Sequence, residues 1–325
     1  MRKRNPVTQS VLLLLIVLMI CAAAAIINPR FLRLQNILNI FQQVAILGIV
    51  ACGVGMLLVA GQIDISVGSQ ISLMTVVLAL VLQKMLGEPG TPVPPWRSVL
   101  AIPLGVALVL VLGLLMGLLN GVVVVKSRAV SFIITLGFMT AYYGAALVAG
   151  SGTGYPMSGR FEWIGRGRLL NTVPIPVLFF LGVVLVTHAV LKNFRYGRFL
   201  YASGGNRKAA YVSGINTNRI TIAAFVVTGL CNALAALILA SRVGFSQANI
   251  AASYGLDALA AVIVGGVGLS GGRGNALNIF LGVLLIGLIS NALIIVRVNP
   301  YARDVVMGLI IIAAATVGQY TGDRE

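Results

Sequence analysis

Residues 98–119, SVLAIPLGVALVLVLGLLMGLL, contain no charged side chain. As a helix, such a run crosses a hydrocarbon layer about 30 Å thick. It is one of a series. Ten segments are long or apolar enough to cross, at 9–27, 37–60, 65–86, 98–119, 129–150, 174–191, 219–240, 254–269, 275–296 and 304–320. Over all 325 residues, 59% are hydrophobic and 9% charged, with a mean hydropathy of +1.02. Soluble domains average about 45–50% apolar and about 25% charged residues. A chain this poor in charge cannot cover a water-facing surface. The expected fold is an all-α, polytopic membrane helical bundle of about ten transmembrane helices, forming a single domain over 1–325.

The formal charge of +16 suggests nucleic acid at first sight. That reading fails, because the 23 basic residues are spread between apolar segments with no recognition motif. Arg2, Lys3 and Arg4 precede the apolar run 11–27, as in a secretory signal, but the run is too long and further spans follow. A lipoprotein signal at Leu18-Met19-Ile20-Cys21 has bulky Ile20 where a small residue belongs. The run is read as an uncleaved first span. With a basic N-terminus inside, an even number of spans places both termini in the cytoplasm. Then 13 of the 23 basic residues lie inside, and six of those crowd 192–219. Such density marks a cytoplasmic loop.

The outer loops differ in kind. Residues 87–97, GEPGTPVPPWR, hold four prolines and Trp96. Residues 151–173 carry Gly152, Gly154, Tyr155, Arg160, Glu162, Trp163, Arg166 and Arg168. They suit either a surface that meets a partner or an aromatic belt at the lipid interface. Gly113, Gly117 and Gly121 share one helix face and invite close approach by another helix, within the subunit before any dimer seam. Cys21, Cys52 and Cys231 lie in apolar runs without metal or disulfide spacing. His188, the single histidine, is read as structural or interfacial.

In the loop 192–219, KNFRYGRFLYASGGNRKAAYVSGINTNR, Gly204-Gly205 breaks the chain, Asn206 suits an N-cap and Gly214 a C′ position. The residues between them fit a short helix. It has no span of its own to stabilise, so it either docks into a cytoplasmic partner or lies on lipid headgroups. The segment 204–215, GGNRKAAYVSGI, resembles the cytoplasmic coupling loop of permease subunits in binding-protein-dependent ABC importers, nearest the ribose-type sugar permeases. Two further stretches resemble the same family in the expected order: AGQIDISVGS at 60–69 and LDALAAVIVGGVGLSGGRG at 256–274. The resemblance implies ten spans with both termini inside. It implies that Ala209, Ala210 and Gly214, with Gly205, Asn206, Arg207 and Ser213 around them, contact an ATP-hydrolysing subunit. Arg207 and Lys208 depart from the family, which often carries an acid there.

Asp64 is one of only seven acids and lies between two apolar segments. A carboxylate near hydrocarbon is costly unless paired or hydrated. It either caps the third helix or, with Gln62, Ser66 and Ser69, hydrogen-bonds a polyol. Asp257 is read as a cap of the eighth span, or a partner of Arg273 or Arg242. On the fifth span Phe132, Thr135, Thr140, Tyr142 and Tyr143 offer aromatic faces and hydroxyls to a sugar, or serve packing alone. The expected translocation-pathway residues are Gln62, Asp64, Ser66, Phe132, Thr135 and Tyr143.

The sequence contains no phosphate-binding G-x-x-x-x-G-K-[ST], no His/Cys/Glu cluster and no plausible Ser/His/Asp set. No catalytic or metal residue is expected, nor any cofactor of this chain's own, since ATP-Mg would sit on a partner. The leading expectation is a permease subunit of an ATP-driven ABC importer for a sugar or sugar-like solute in a bacterial inner membrane. Its partners would be a cytoplasmic ATP-binding subunit, a second permease subunit (identical or paralogous), an extracytoplasmic substrate-binding protein and the lipid bilayer, with no nucleic acid. The alternative, an ion-coupled secondary transporter, calls for several intramembrane carboxylates. A membrane enzyme calls for a catalytic set.

Overall fold

A computed structural model describes residues 6–87, 92–157, 159, 161–299 and single positions between 302 and 312. The order is α1 (Pro6–Ile27), a 3-10 turn (Pro29–Leu32), α2 (Leu34–Val59), α3 (Val67–Leu86), α4 (Pro95–Ser127), α5 (Ser131–Ala149), β1 (Tyr155–Pro156), α6 (Trp163–Arg166), β2 (Arg168–Leu169) and β3 (Val173–Pro174). Then come α7 (Ile175–Asn193), α8 (Arg195–Gly205), α9 (Arg207–Val212), α10 (Thr217–Val243), β4 (Phe245–Ser246), α11 (Tyr254–Val264) and α12 (Ala276–Ile295). Among the described residues seven helices, α2, α3, α4, α5, α7, α10 and α12, are each long and apolar enough to cross a membrane. The chain is a polytopic helical membrane protein. The expected tenth span, 304–320, falls largely outside the described residues, as do Arg2, Lys3, Arg4, Arg160 and Arg324.

Burial divides the spans. From Val44 to Val59 every residue of α2 is buried, so this helix is apolar all round and forms the centre of the bundle. It packs against α10, α12, α7 and α11. By contrast, α5 leaves Phe132, Ile133, Leu136, Tyr143 and Val148 exposed. The 33-residue α4 is about 50 Å long, more than the hydrocarbon thickness, so it projects beyond the layer or tilts across it.

The glycine stripe of α4 works within the subunit. A Cβ at Gly113 would lie 2.5 Å from the Gly229 carbonyl oxygen, one at Gly117 2.5 Å from that of Phe225, and one at Gly121 2.9 Å from Ile222 Cα. Thus α4 and α10 touch backbone to backbone. Gly229→Val, which would drive its side chain into the Gly113 carbonyl, is expected to abolish a monodisperse peak on size exclusion in detergent. Gly182→Ala, with nothing within 4 Å, should elute as the parent.

The expected span 254–269 is corrected. Only Tyr254–Val264 is helical, about 16 Å of rise, half of what a crossing needs. Gly265 packs on the Asn278 carbonyl and Gly266 takes φ +87, so the chain leaves the helix into an irregular glycine-rich run. Non-helical backbone is tolerated at such depth where protein covers it, and α11 lies against α2 and α12. In the expected outer loops, β1 pairs antiparallel with β4, and β2 with β3. Glu162 is ion-paired to Arg166 at 2.8 Å, and Arg166 donates to the carbonyls of Arg242 and Val243. The loop is therefore tied to the end of α10.

Candidate functional site

Between α2 and α3 the chain runs without helix through residues 62–65. Ile63 N–H donates to Ser131 Oγ at 3.0 Å and Ile65 N–H to Thr135 Oγ1 at 3.3 Å, so hydroxyls from the first turns of α5 satisfy this irregular backbone. Asp64 is 3% exposed. Its Oδ1 accepts from Ser66 N–H (2.8 Å) and Ser66 Oγ (2.6 Å); its Oδ2 accepts from Gln70 Nε2 (3.1 Å) and Asn120 Nδ2 (3.2 Å). All these donors are neutral.

The network spreads from there. Both amides also donate to Ser66 Oγ, Tyr142 OH donates to Asn120 Oδ1 at 2.8 Å, and Asn232 Nδ2 donates to Gln70 Oε1 at 3.0 Å. Asn232 Oδ1 has no partner among the described residues. Four helices, α3, α4, α5 and α10, are thus tied through one buried carboxylate. A single carboxylate without a cation is held in apolar surroundings by surrounding it with donors.

Of the expected pathway residues, the structure brings Asp64, Ser66 and Thr135 into this buried cluster, with Gln62 half-buried beside it. Phe132 and Tyr143, 44% and 41% exposed, instead face outward from α5, on the same bare side as Thr140 and Gly137. Gln70, Asn120 and Asn232 were not expected. Their signal is an uncharged amide standing inside an apolar span, which needs a partner there. Two apolar grooves open on the surface, one between α1, α7 and α12 beside His188 and Lys192, the other between α7 and α10 beside Gly182 and Cys231. Neither includes an expected pathway residue. Asp257 sits in the first turn of α11, where a negative charge suits the helix dipole.

The element expected on the cytoplasmic side is two helices. Residues 195–205, read from sequence as loop, form α8, and Gly204-Gly205 close it. Asn206 is the joint: its Oδ1 accepts from Ala209 N–H at 2.9 Å and caps α9. Gly214 takes φ +83, its N–H bonds the Tyr211 carbonyl and Ile215 N–H bonds the Ala210 carbonyl. That is a Schellman closure. Ser213 Oγ donates to the Ala209 carbonyl and Arg207 to Asn218 Oδ1. Ala210 is buried, whereas Tyr211 and Val212 are 71% and 86% exposed. A rigidly capped helix thus holds out an aromatic and an aliphatic side chain, next to Arg207 and Lys208.

The sequence stretches 60–69, 204–215 and 256–274 meet. Gly61, Gly204 and Gly271 are in mutual backbone contact, and Gly272 N–H donates to the Val59 carbonyl at 2.8 Å.

Comparison with known proteins identifies the family. Residues 36–315 match the family model described as branched-chain amino acid transport system / permease component. The ribose import permease protein of Haemophilus influenzae is 35% identical over 306 residues, covering 93% of this chain and 90% of that protein. The ribose import permease protein of Bacillus subtilis is 37% identical over 293 residues, covering 89% and 86%. The galactose/methyl galactoside import permease protein of Escherichia coli is 33% identical over 297 residues, covering 89% and 88%. No solved structure matches significantly.

Proposed function

This chain belongs to the branched-chain amino acid transport system / permease component family, and on that premise we propose that it is the permease subunit of an ATP-driven importer for a sugar or sugar-like polar solute. The family's description names amino acids, but the relatives at 33–37% identity named above are sugar permeases. The observation that carries the reading is α9. A six-residue helix fixed at both ends, with Tyr211 and Val212 bare beside basic residues, is a docking tip for a separate cytoplasmic subunit that supplies ATP-Mg.

In this reading two permease subunits, identical or paralogous, form the pathway along their shared interface in a bacterial inner membrane. Each crosses the bilayer ten times with both termini in the cytoplasm, the eighth crossing being made by α11 together with the irregular glycine-rich run that follows it. The outward face of α5 suits that interface, since Phe132, Thr140 and Tyr143 bring ring faces and hydroxyls to a surface left uncovered among the described residues. Such groups suit a neutral polyol. Asp64, Ser66 and Thr135 stand behind them as the support that holds α5 and the segment 62–66. An extracytoplasmic binding protein delivers solute to the outer side, where Trp163 (71% exposed) and Leu170 (89%) project from the loop tied to α10. ATP binding shifts α9, and rigid-body movement switches access. The ion-coupled alternative has less support, because both oxygens of Asp64 are already occupied by internal donors.

The test is reconstitution in liposomes with radiolabelled ribose and galactose. The chain alone, under an imposed proton or sodium gradient, is expected to take up neither sugar. Uptake should begin only when the cognate ATP-binding subunit, ATP and binding protein are added. Gradient-driven uptake by the lone chain would refute the importer reading.

A further inference from the structure

The three abutting stretches leave no side chain between them. Gly204 lies so close to the Val59 carbonyl, itself the acceptor of Gly272 N–H, that a Cβ there would overlap it. A Cβ on Gly271 would sit 2.8 Å from Gly61 Cα and 2.9 Å from the Gly204 carbonyl oxygen, and one on Gly272 2.6 Å from Gly205 Cα. Gly61, Gly271 and Gly272 also hold φ of +72, +83 and +72, which L side chains rarely adopt. Tyr201 OH donates to the Gly274 carbonyl at 2.7 Å and pins α8 to the same run. Contact between side chains can be absorbed by a change of rotamer; contact between backbones cannot.

What lies on either side gives the contact a use. On one side, Gly205 is followed directly by Asn206, the cap of α9. On the other, Gly61 is followed directly by the run 62–66, whose Ile63 and Ile65 amides hold the Ser131 and Thr135 hydroxyls of α5. We propose that this glycine joint is the positioning device through which displacement of α9 reaches residues 62–66 and then the outward face of α5. The proposal rests on the importer reading and specifies its internal linkage. Gly204 and Gly272 are its central positions. Their smallness is required for transmission, and not only for folding.

Hydrogen–deuterium exchange on the complex of full-length permease with its ATP-binding subunit, in lipid nanodiscs, tests this without knowledge of the solute. Nucleotide-free protein is compared with protein trapped by MgATP and orthovanadate. In the parent, amides of 61–66 and 268–274 should change their exchange rate by roughly fivefold or more, the low end of ordinary coupling, together with those of 207–212. In Gly204→Ala and Gly272→Ala, trapping and the change at 207–212 should persist while the change at 61–66 is lost. Gly268→Ala, whose Cβ would meet Arg273 Cβ at an ordinary 3.5 Å, should behave as the parent. Unchanged exchange at 61–66 in the trapped parent would overturn the proposal by itself, even if the glycine variants fail to fold. So would survival of the 61–66 response in both variants. A complex that never traps vanadate would overturn the importer reading, and the linkage with it.

Discussion

Replacing Asp64 with alanine is expected to destabilise the folded chain by about 3–5 kcal/mol, the scale of breaking a buried charge cluster. The carboxylate accepts from the Ser66 amide, the Ser66 hydroxyl, Gln70 and Asn120. Gln70 and Asn120 keep a second acceptor in Ser66 Oγ, but each loses the partner of one N–H, and the Ser66 amide loses its own. Each orphaned buried donor costs about 1–3 kcal/mol, and the bilayer interior holds no water to replace the acceptor. A fall of about 10 °C in the thermal midpoint in a fixed detergent follows. Asp64→Asn keeps an acceptor for Ser66 while turning an amide donor toward Gln70 and Asn120, so its midpoint should lie between alanine and parent. In a double-mutant cycle with Asn120→Ala the losses should be less than additive, because each change orphans the other's partner. A midpoint for Asp64→Ala equal to the parent's would show that the network does not hold the segment.

The other large effect belongs to α9. Tyr211→Ala and Val212→Ala together should weaken binding of the ATP-binding subunit by roughly 30-fold or more, as loss of a central interface anchor does. Both side chains are exposed, so the melting midpoint should stay within that of a neutral surface change, about 0.5 kcal/mol. A binding titration in detergent reads the first quantity and a thermal scan the second. Bulky replacements at Ala210 or Gly214 act differently. Ala210 is buried and Gly214 closes the helix at φ +83, so they distort the element itself and should uncouple ATP hydrolysis from uptake while membrane insertion continues. Full affinity in the Tyr211/Val212 double variant would remove α9 from the docking surface.

How far the sequence carries can be judged element by element. Apolar run length locates the spans closely: the expected 37–60, 129–150 and 275–296 correspond to Leu34–Val59, Ser131–Ala149 and Ala276–Ile295. It fails at 254–269, because mean hydropathy scarcely registers glycine whereas backbone conformation is governed by it, and α11 stops where Gly265-Gly266 begins. The reverse error occurs at α8. Residues 195–205, expected as loop, are helical up to the expected break at Gly204-Gly205, and Gly197 within them is small because the Val190 carbonyl lies against it. The cap and closing glycine of α9 were legible because both are local hydrogen-bond chemistry. Asp64 stood out as an acid between apolar runs, but its partners did not. Asn120 bonds it across 56 residues, and Asn232 reaches Gln70 across 162, separations over which no local pattern speaks.

Finally, α10 has a mechanical meaning beyond its packing. It is one unbroken helix of 27 residues, about 40 Å long. Its cap, Asn216, follows directly after the turn that closes α9, and its far end carries Ser241, Arg242 and Val243, which hold Gly165 and Arg166. A stiff rod anchored at both faces cannot tilt at one without tilting at the other. Under the importer reading, occupancy of the binding protein at one end and nucleotide state at the other would read each other, and by thermodynamic reciprocity the affinity of each would depend on the other by the same factor.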